Sequence, residues 1–118
     1  MEGYSMEEFS NLLWHNIEIV QCICNKIENQ EAYIEDIRGY LPSLNQMITS
    51  IFTNMQQGQI SLELNQGFII QALNDILYGI ENEDSVFLLD VLRYGLLEIY
   101  GYISSELQSE GCYESVNI

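Results

Sequence analysis

One apolar pattern constrains this chain more than any other feature of its sequence. Between residues 34 and 55, apolar side chains recur at alternating steps of three and four residues without an omission. An α-helix gathers such positions on one side, whereas a β-strand would scatter them over both faces. The segment is therefore predicted to be helical and to pack along one seam, formed by Ile34, Ile37, Leu41, Leu44, Ile48, Ile51 and Met55.

Pro42 interrupts this segment chemically without disturbing its register. Proline donates no backbone hydrogen bond, and its ring clashes with the carbonyl four residues earlier, which here belongs to Arg38. Two alternatives remain open. Either one helix is kinked near Pro42, or a first helix ends near Gly39 and a second begins with Pro42 in its first turn. The unbroken register favours a kink or a tight break over a long loop.

Similar periodicity predicts helices on either side of this segment. The first should begin at Ser5, where Ser5 and Glu8 can form a capping box, and end near residues 28–29. Residues 56–62 are the predicted loop, and a third helix should run from about residue 63 or 65 to Gly79 or Ile80.

A fourth helix should follow directly, capped by Asp84 or Ser85 and apolar on one side as far as Leu107. The short link before it predicts a hairpin of the third and fourth helices. Within the fourth helix, Asp90 precedes Arg93 by three residues, which predicts a local ion pair. The predicted fold class is all-α, an antiparallel bundle of four to five helices, with residues 1–108 as a single domain and residues 109–118 as a flexible C-terminal tail.

Residues 39–62 contain no Lys, Arg, Asp, Glu or His, although the chain carries 18 acidic and only three basic residues. Interface centres are depleted of charge, so this stretch is a candidate interface. Alternatively, this helix is the most central one in the bundle, and its polar groups face neighbouring helices or solvent. Phe52 lies one position off the seam and widens its apolar arc.

Tyrosine and glycine recur together as Tyr78-Gly79, Tyr94-Gly95 and Tyr100-Gly101. Gly79 fits a helix end, whereas Gly95 and Gly101 fall inside a helix and imply close helix approach or a bend. Tyrosines serve as interface anchors, and they also line the wet rims of bundles. From both patterns, the predicted partner interface comprises Ile48, Ile51, Phe52, Met55, Tyr94, Tyr100 and Tyr102.

No constellation in the sequence points to catalysis. His15 is the only histidine, and His15, Glu18 and Cys22 fall on one side of a helix. Di-iron bundles need a second histidine and further carboxylates, so we reject a metal site. Cys22 and Cys24 point about 200° apart on a helix and cannot chelate a metal together. We therefore expect no catalytic residue, no metal and no cofactor.

The net charge of −15 repels nucleic acid and anionic membranes, so neither is an expected partner. We expect a non-catalytic protein-binding module, resembling an adaptor, chaperone or inhibitor, whose partner is a protein and could be basic. The alternatives are a self-associating structural or regulatory protein, such as a homodimer, and, less in keeping with the residues, a metal-dependent enzyme. Three cysteines without a disulfide framework, and an N-terminus without a secretory signal, predict a cytoplasmic location.

Overall fold

The computed structural model describes the backbone of residues 6–58 and 66–116 and the side chains of residues 7–58 and 66–107. Over these ranges the chain is helical, without a β-strand, which confirms the all-α prediction. The elements are α1 (Met6–Glu28), α2 (Ile34–Gln56) and α3 (Gln66–Glu81), followed by α4 (Ser85–Val91), a π-helical turn (Leu92–Leu96) and α5 (Leu97–Val116). The last three segments form one continuous C-terminal helix.

The helices pack as a bundle around α1, which contacts α2, α4, the π-helical turn and α5. In α1, Phe9, Leu13 and Val20 are fully enclosed. The predicted hairpin of the third and fourth helices is present, because α3 packs against α4 and the π-helical turn. The helix α2, which contains most of the uncharged stretch, contacts fewer elements than α1 and is not the most central helix.

The helix α2 runs through Pro42 without a break, which decides between the two alternatives for this segment. Pro42 and Arg38 are both exposed, so the missing hydrogen bond falls on the side of the helix that faces water. The apolar seam keeps its register past the proline, and Leu44, Ile48 and Ile51 are buried beyond it.

The end of α1 is closed by a pair of backbone hydrogen bonds known as a Schellman motif. The amide of Glu31 donates to the carbonyl of Lys26 (2.8 Å), and the amide of Gln30 donates to that of Ile27 (3.1 Å). Gln30 adopts the left-handed conformation that this motif requires, with φ of 60°. Glycine usually occupies that position, because a Cβ is strained there.

The link between α3 and α4 uses the same motif and adds a cap. Asp84 donates its amide to the carbonyl of Gly79 (3.0 Å), and Glu83, with φ of 49°, donates to Ile80 (3.1 Å). The Asp84 carboxylate then accepts a hydrogen bond from the amide of Phe87 (3.1 Å), as the sequence predicted for one of the two candidate caps. Three residues therefore suffice to reverse the chain.

Gly79 is not a helix end, because α3 continues to Glu81. A Cβ at Gly79 would lie 2.7 Å from Cγ and 2.8 Å from Cδ2 of Leu88, whose side chain is fully buried. Such distances are too short for non-bonded carbon atoms. Gly79 therefore allows α3 and α4 to approach closely.

Other sequence predictions concern the ends of the described ranges. The backbone of α5 is helical as far as Val116, whereas a tail was predicted from residue 109, and the flexibility of that tail stays a prediction. The Ser5 end of the capping box lies outside the described residues. So does most of the predicted loop at 56–62, in which α2 ends at Gln56 and a turn follows at Gln57 and Gly58. Within 6–58 and 66–116, no helix combines the length and apolar character needed to cross a membrane.

Candidate functional site

The residues predicted to form a partner interface fall into two groups. Four of them are buried within the chain and belong to its core, because the seam of α2 and the inner side of α5 pack against other helices; these are Ile48, Ile51, Met55 and Tyr100. They offer no surface to a partner. Phe52 and Tyr102 are partly buried against the core, whereas Tyr94 is 69% exposed.

Tyr100 belongs to a buried hydrogen-bonded chain that joins three helices. The Asn16 side chain donates from Nδ2 to the carbonyl of Leu12 (2.8 Å), which leaves Asn16 Oδ1 as an acceptor. The Tyr40 hydroxyl donates to Asn16 Oδ1 (2.7 Å). The Tyr40 and Tyr100 hydroxyls are 2.8 Å apart, and since the Tyr40 proton is already used, Tyr100 must be the donor.

This set of hydrogen bonds has a structural role. Burial raises the pKa of Tyr100 far above its usual value, and the neighbouring Tyr40 raises it further. Burial likewise raises the pKa of Tyr40, although its hydrogen bond with Tyr100 acts in the opposite direction. Both phenols therefore stay neutral and hold α1, α2 and α5 together at the bundle centre.

The basic side chains are largely occupied within the chain. Lys26 pairs with Asp36, and Arg93 forms a two-pronged pair with Glu28, with distances of 2.8 Å (Nη2 to Oε1) and 2.9 Å (Nη1 to Oε2). The hydrogen bond from Arg93 holds the pKa of Glu28 below its usual range. The predicted pairing of Arg93 with Asp90 is thus replaced by a contact between two helices, and Asp90 is exposed to solvent.

A groove lies between α3 and the C-terminal helix, and we call it the α3 groove. It encloses a volume of about 210 Å³. Drug-sized ligands occupy pockets of roughly 300–1,000 Å³, so this groove has room for a single large side chain instead. Its lining residues are Phe68, Gln71, Ala72 and Asp75 from α3, with Asp90, Val91, Tyr94 and Gly95 from the facing helix.

The floor of the α3 groove exists because two small residues meet there. A Cβ at Gly95 would lie 3.8 Å from the Cβ of Ala72 and 3.7 Å from Cγ1 of Val91, which are ordinary contact distances. Gly95 also lies within the π-helical turn, whereas a Cβ at Gly101 would meet nothing within 4 Å, so the predicted close approach does not apply to Gly101. Turns of this type occur frequently at functional sites.

The rim of the α3 groove combines exposed aromatic surface with negative charge. Phe68 is 47% exposed on one side, and Tyr94 is exposed on the other. Asp75, whose Oδ1 accepts a hydrogen bond from Gln71 Nε2 (2.9 Å), and Asp90 add a carboxylate from each helix. The groove can therefore take up an apolar group that has a positive charge beside it.

A second groove contains the residues considered for chemistry. His15, Glu18 and Cys22 line it with Ile19 and Ile23, around a volume of about 460 Å³. Seven residues of helix separate His15 from Cys22 by about 10 Å along the axis, too far for a base to act on a thiol. In the described part of the chain, no group of three or more His, Cys, Asp or Glu side chains could hold a metal ion.

The sequence reasoning missed Phe68, although a signal for it existed. The buried positions of α3 include Ile69, Ala72 and Ile76, and Phe68 lies one step to the side of that stripe. An aromatic residue beside a complete apolar stripe indicates surface in excess of what the core needs, as was argued for Phe52.

No protein-family model matches this chain, and neither a curated protein nor a solved structure is significantly similar to it.

Proposed function

We propose that this protein is a non-catalytic module that binds a basic protein partner, in the manner of an adaptor, chaperone or inhibitor. The observation that carries the proposal is the α3 groove, where exposed aromatic surface lies between carboxylates on an acidic chain. Large aromatic side chains contribute most of the free energy of binding in protein interfaces, and charge complementarity selects the partner and speeds its approach.

The distribution of the basic residues supports a positively charged partner. Lys26 and Arg93 already pair with carboxylates of this chain, so they neutralise acids within it and are not available to an acidic partner. The excess of 18 acidic over three basic residues remains as an uncompensated negative field. Such a field attracts cationic proteins over distances near the Debye length, about 8 Å at physiological ionic strength.

The location that fits this function is the cytoplasm. Cys22 is exposed and Cys24 is buried, and both are free thiols. Burial raises the pKa of Cys24, so that its thiol is protonated and unreactive. A reducing compartment would keep the exposed Cys22 in the same reduced state.

Affinity purification of the tagged full chain from its native cell, followed by measurement of the purified complex, tests the proposal. We expect a partner with a basic contact surface, whose association rate falls steeply as salt is raised. An enzymatic turnover by the purified chain, or partners of which none is basic, would contradict the proposal.

A second candidate is self-association, and one observation favours it. Beyond Arg38, the outer side of α2 is exposed yet free of charge, with Asn45, Gln46, Thr49 and Gln56 in place of charged residues. Two acidic chains could meet there with the least repulsion. Light scattering tests this candidate, because self-association predicts a dimer and a strict monomer at high concentration counts against it.

A further inference from the structure

We infer that the α3 groove is the docking site for one amphipathic helix of the partner, with apolar anchors on one side and Lys or Arg on the flanks. The inference rests on the proposed function and specifies its site and its ligand chemistry. Its first support is the shape of the groove, which runs between two neighbouring helices. Grooves of that kind receive the apolar face of a further helix.

The size and lining of the groove define the anchor. Ala72, Val91 and Gly95 leave a floor with little side-chain bulk, and the volume of about 210 Å³ suits one large apolar side chain. Phe68 and Tyr94 stand beside that space and would cover the anchor as it enters. Because both are already exposed, docking would remove their apolar surface from water without first opening the core.

Charge complementarity specifies the flanks of the docking helix. Asp75 and Asp90 lie on opposite helices, so a helix lying along the groove would have a carboxylate on either side. Arg93 belongs to the same π-helical turn as Tyr94, but its guanidinium is held by Glu28 of α1. Positive residues on the polar flanks of the docked helix would therefore meet negative charge.

The second groove, which is lined by His15, Glu18 and Cys22, has a different charge from the α3 groove. Its charged lining residues are Glu18, Lys26 and Asp36, and Lys26 pairs with Asp36, so its lining carries one positive charge and less net negative charge than that of the α3 groove. A cationic helix would have to compete with Lys26 for the carboxylate of Asp36. Of these two grooves, the α3 groove is the one whose charge suits a basic helix.

The probe is a synthetic helical peptide with leucines at the i, i+3, i+4 and i+7 positions and lysines elsewhere. One control peptide has the same composition in an order that destroys the apolar side, and another carries glutamate in place of lysine. With the full chain at physiological salt, we expect the first peptide to bind at least about tenfold more tightly than either control. Equal binding of the ordered and disordered peptides would overturn the inference.

Variants of the full chain then locate the site. Phe68→Ala and Tyr94→Ala should each weaken binding by about tenfold, the effect of losing an interface anchor. Trp14→Ala is the matched control, because Trp14 is a similarly exposed aromatic on α1 and does not line the groove. Gly95→Ala should weaken binding by filling the floor while leaving the melting temperature unchanged or higher, because the new methyl group meets no clash.

Two double variants that remove the same charge distinguish the effect of the carboxylates in the groove from that of the overall negative charge of the protein. The double variant Asp75→Asn with Asp90→Asn should weaken binding more than Glu35→Gln with Glu98→Gln, which removes the same charge from exposed sites elsewhere. If both pairs weaken binding equally, the groove is not the docking site, although the proposal of a basic partner stands. If no basic peptide binds, the groove inference fails, and co-purification from the native cell decides the proposed function separately.

Discussion

The hydroxyl of Tyr40 makes two hydrogen bonds, whereas the hydroxyl of Tyr100 makes one. Tyr40→Phe would leave both Asn16 Oδ1 and the Tyr100 hydroxyl buried without a partner. Tyr100→Phe removes a donor and leaves the bond from Tyr40 to Asn16 intact. We therefore expect Tyr40→Phe to lower the free energy of unfolding by about 2–4 kcal/mol and Tyr100→Phe by about 1 kcal/mol, as measured by urea denaturation.

The double variant is the internal check on this difference. It leaves a single buried acceptor unpaired, so its cost should be smaller than the sum of the two single costs. If the two single variants lost the same free energy of unfolding, or if their losses added exactly in the double variant, the hydrogen bonds would not run from Tyr100 through Tyr40 to Asn16.

Gln30 occupies a left-handed conformation that suits glycine. A residue with a Cβ is strained there by about 1–2 kcal/mol, which glycine would relieve. Glycine, however, loses more conformational entropy on folding, which costs about 0.5–1 kcal/mol. Gln30→Gly should therefore raise the free energy of unfolding by up to about 1.5 kcal/mol in chemical denaturation. Asn29→Gly, one residue earlier and without positive φ, should lower it, and stabilisation by both changes would refute this account.

Among the helices, periodicity predicted where each one lies and which side is buried. The end of α1 and the Asp84 cap were found because capping and termination depend on local chemistry that a sequence displays. The continuity of α2 through Pro42 could only be narrowed to two alternatives, because the outcome depends on packing along the whole seam. The π-helical turn was not foreseen.

Four of the seven predicted interface residues belong to the core for a related reason. Apolar side chains at helical spacing mark a surface that leaves water, and the pattern alone does not say whether the same chain or another one covers it. Ile51 and Tyr100 are covered by their own chain, whereas Tyr94 is not. The difference depends on which helices are neighbours, and that is a property of the fold.

Two glycines within helices should respond in opposite ways to the same change. Gly79→Ala forces a methyl group against Leu88 and should cost about 1–3 kcal/mol. Gly101→Ala places its methyl group in open space on an exposed helix position and should gain about 0.5–1 kcal/mol. Thermal melting of both variants measures the contrast, and a neutral Gly79→Ala would show that α3 and α4 can move apart at little cost.

Considered as a whole, the molecule should lose stability in alkali. The buried Tyr40 and Tyr100 remain protonated in the folded chain, whereas unfolded tyrosine ionises near pH 10. Their contribution is therefore complete below pH 10 and is lost above it, by about 1.4 kcal/mol per pH unit for each group. Buried Cys24 adds an earlier loss that starts near pH 8.5.

Denaturant titrations at a series of pH values measure this loss, with tyrosinate absorbance as the second signal. The variant lacking both hydroxyls, Tyr40→Phe with Tyr100→Phe, is the control and should show a shallower decline above pH 10. The same slope in both proteins would place the two phenols in contact with solvent, contrary to the structure.

Salt should stabilise the fold, whereas alkali should destabilise it. With a net charge of −15, repulsion among carboxylates opposes folding, and about 0.5 M sodium chloride screens charges beyond roughly 4–5 Å. The ion pairs Lys26–Asp36 and Arg93–Glu28 also weaken in salt, but such surface pairs contribute little to the free energy of unfolding even at low salt. We expect a higher melting temperature at high salt, and no rise between low and high salt would contradict this.

The C-terminal helix changes neighbours along its length without a loop. Successive steps of four residues would carry the buried side of a straight α-helix about 160° around its axis, and the wider π-helical turn absorbs part of that rotation. The first half of this helix therefore packs against α3 as well as α1, whereas the second half packs against α1, and Tyr100 there also reaches Tyr40 of α2. An irregular turn thus replaces a connecting segment, and the positions along this path are Leu88, Leu92, Leu96, Tyr100 and Ser104.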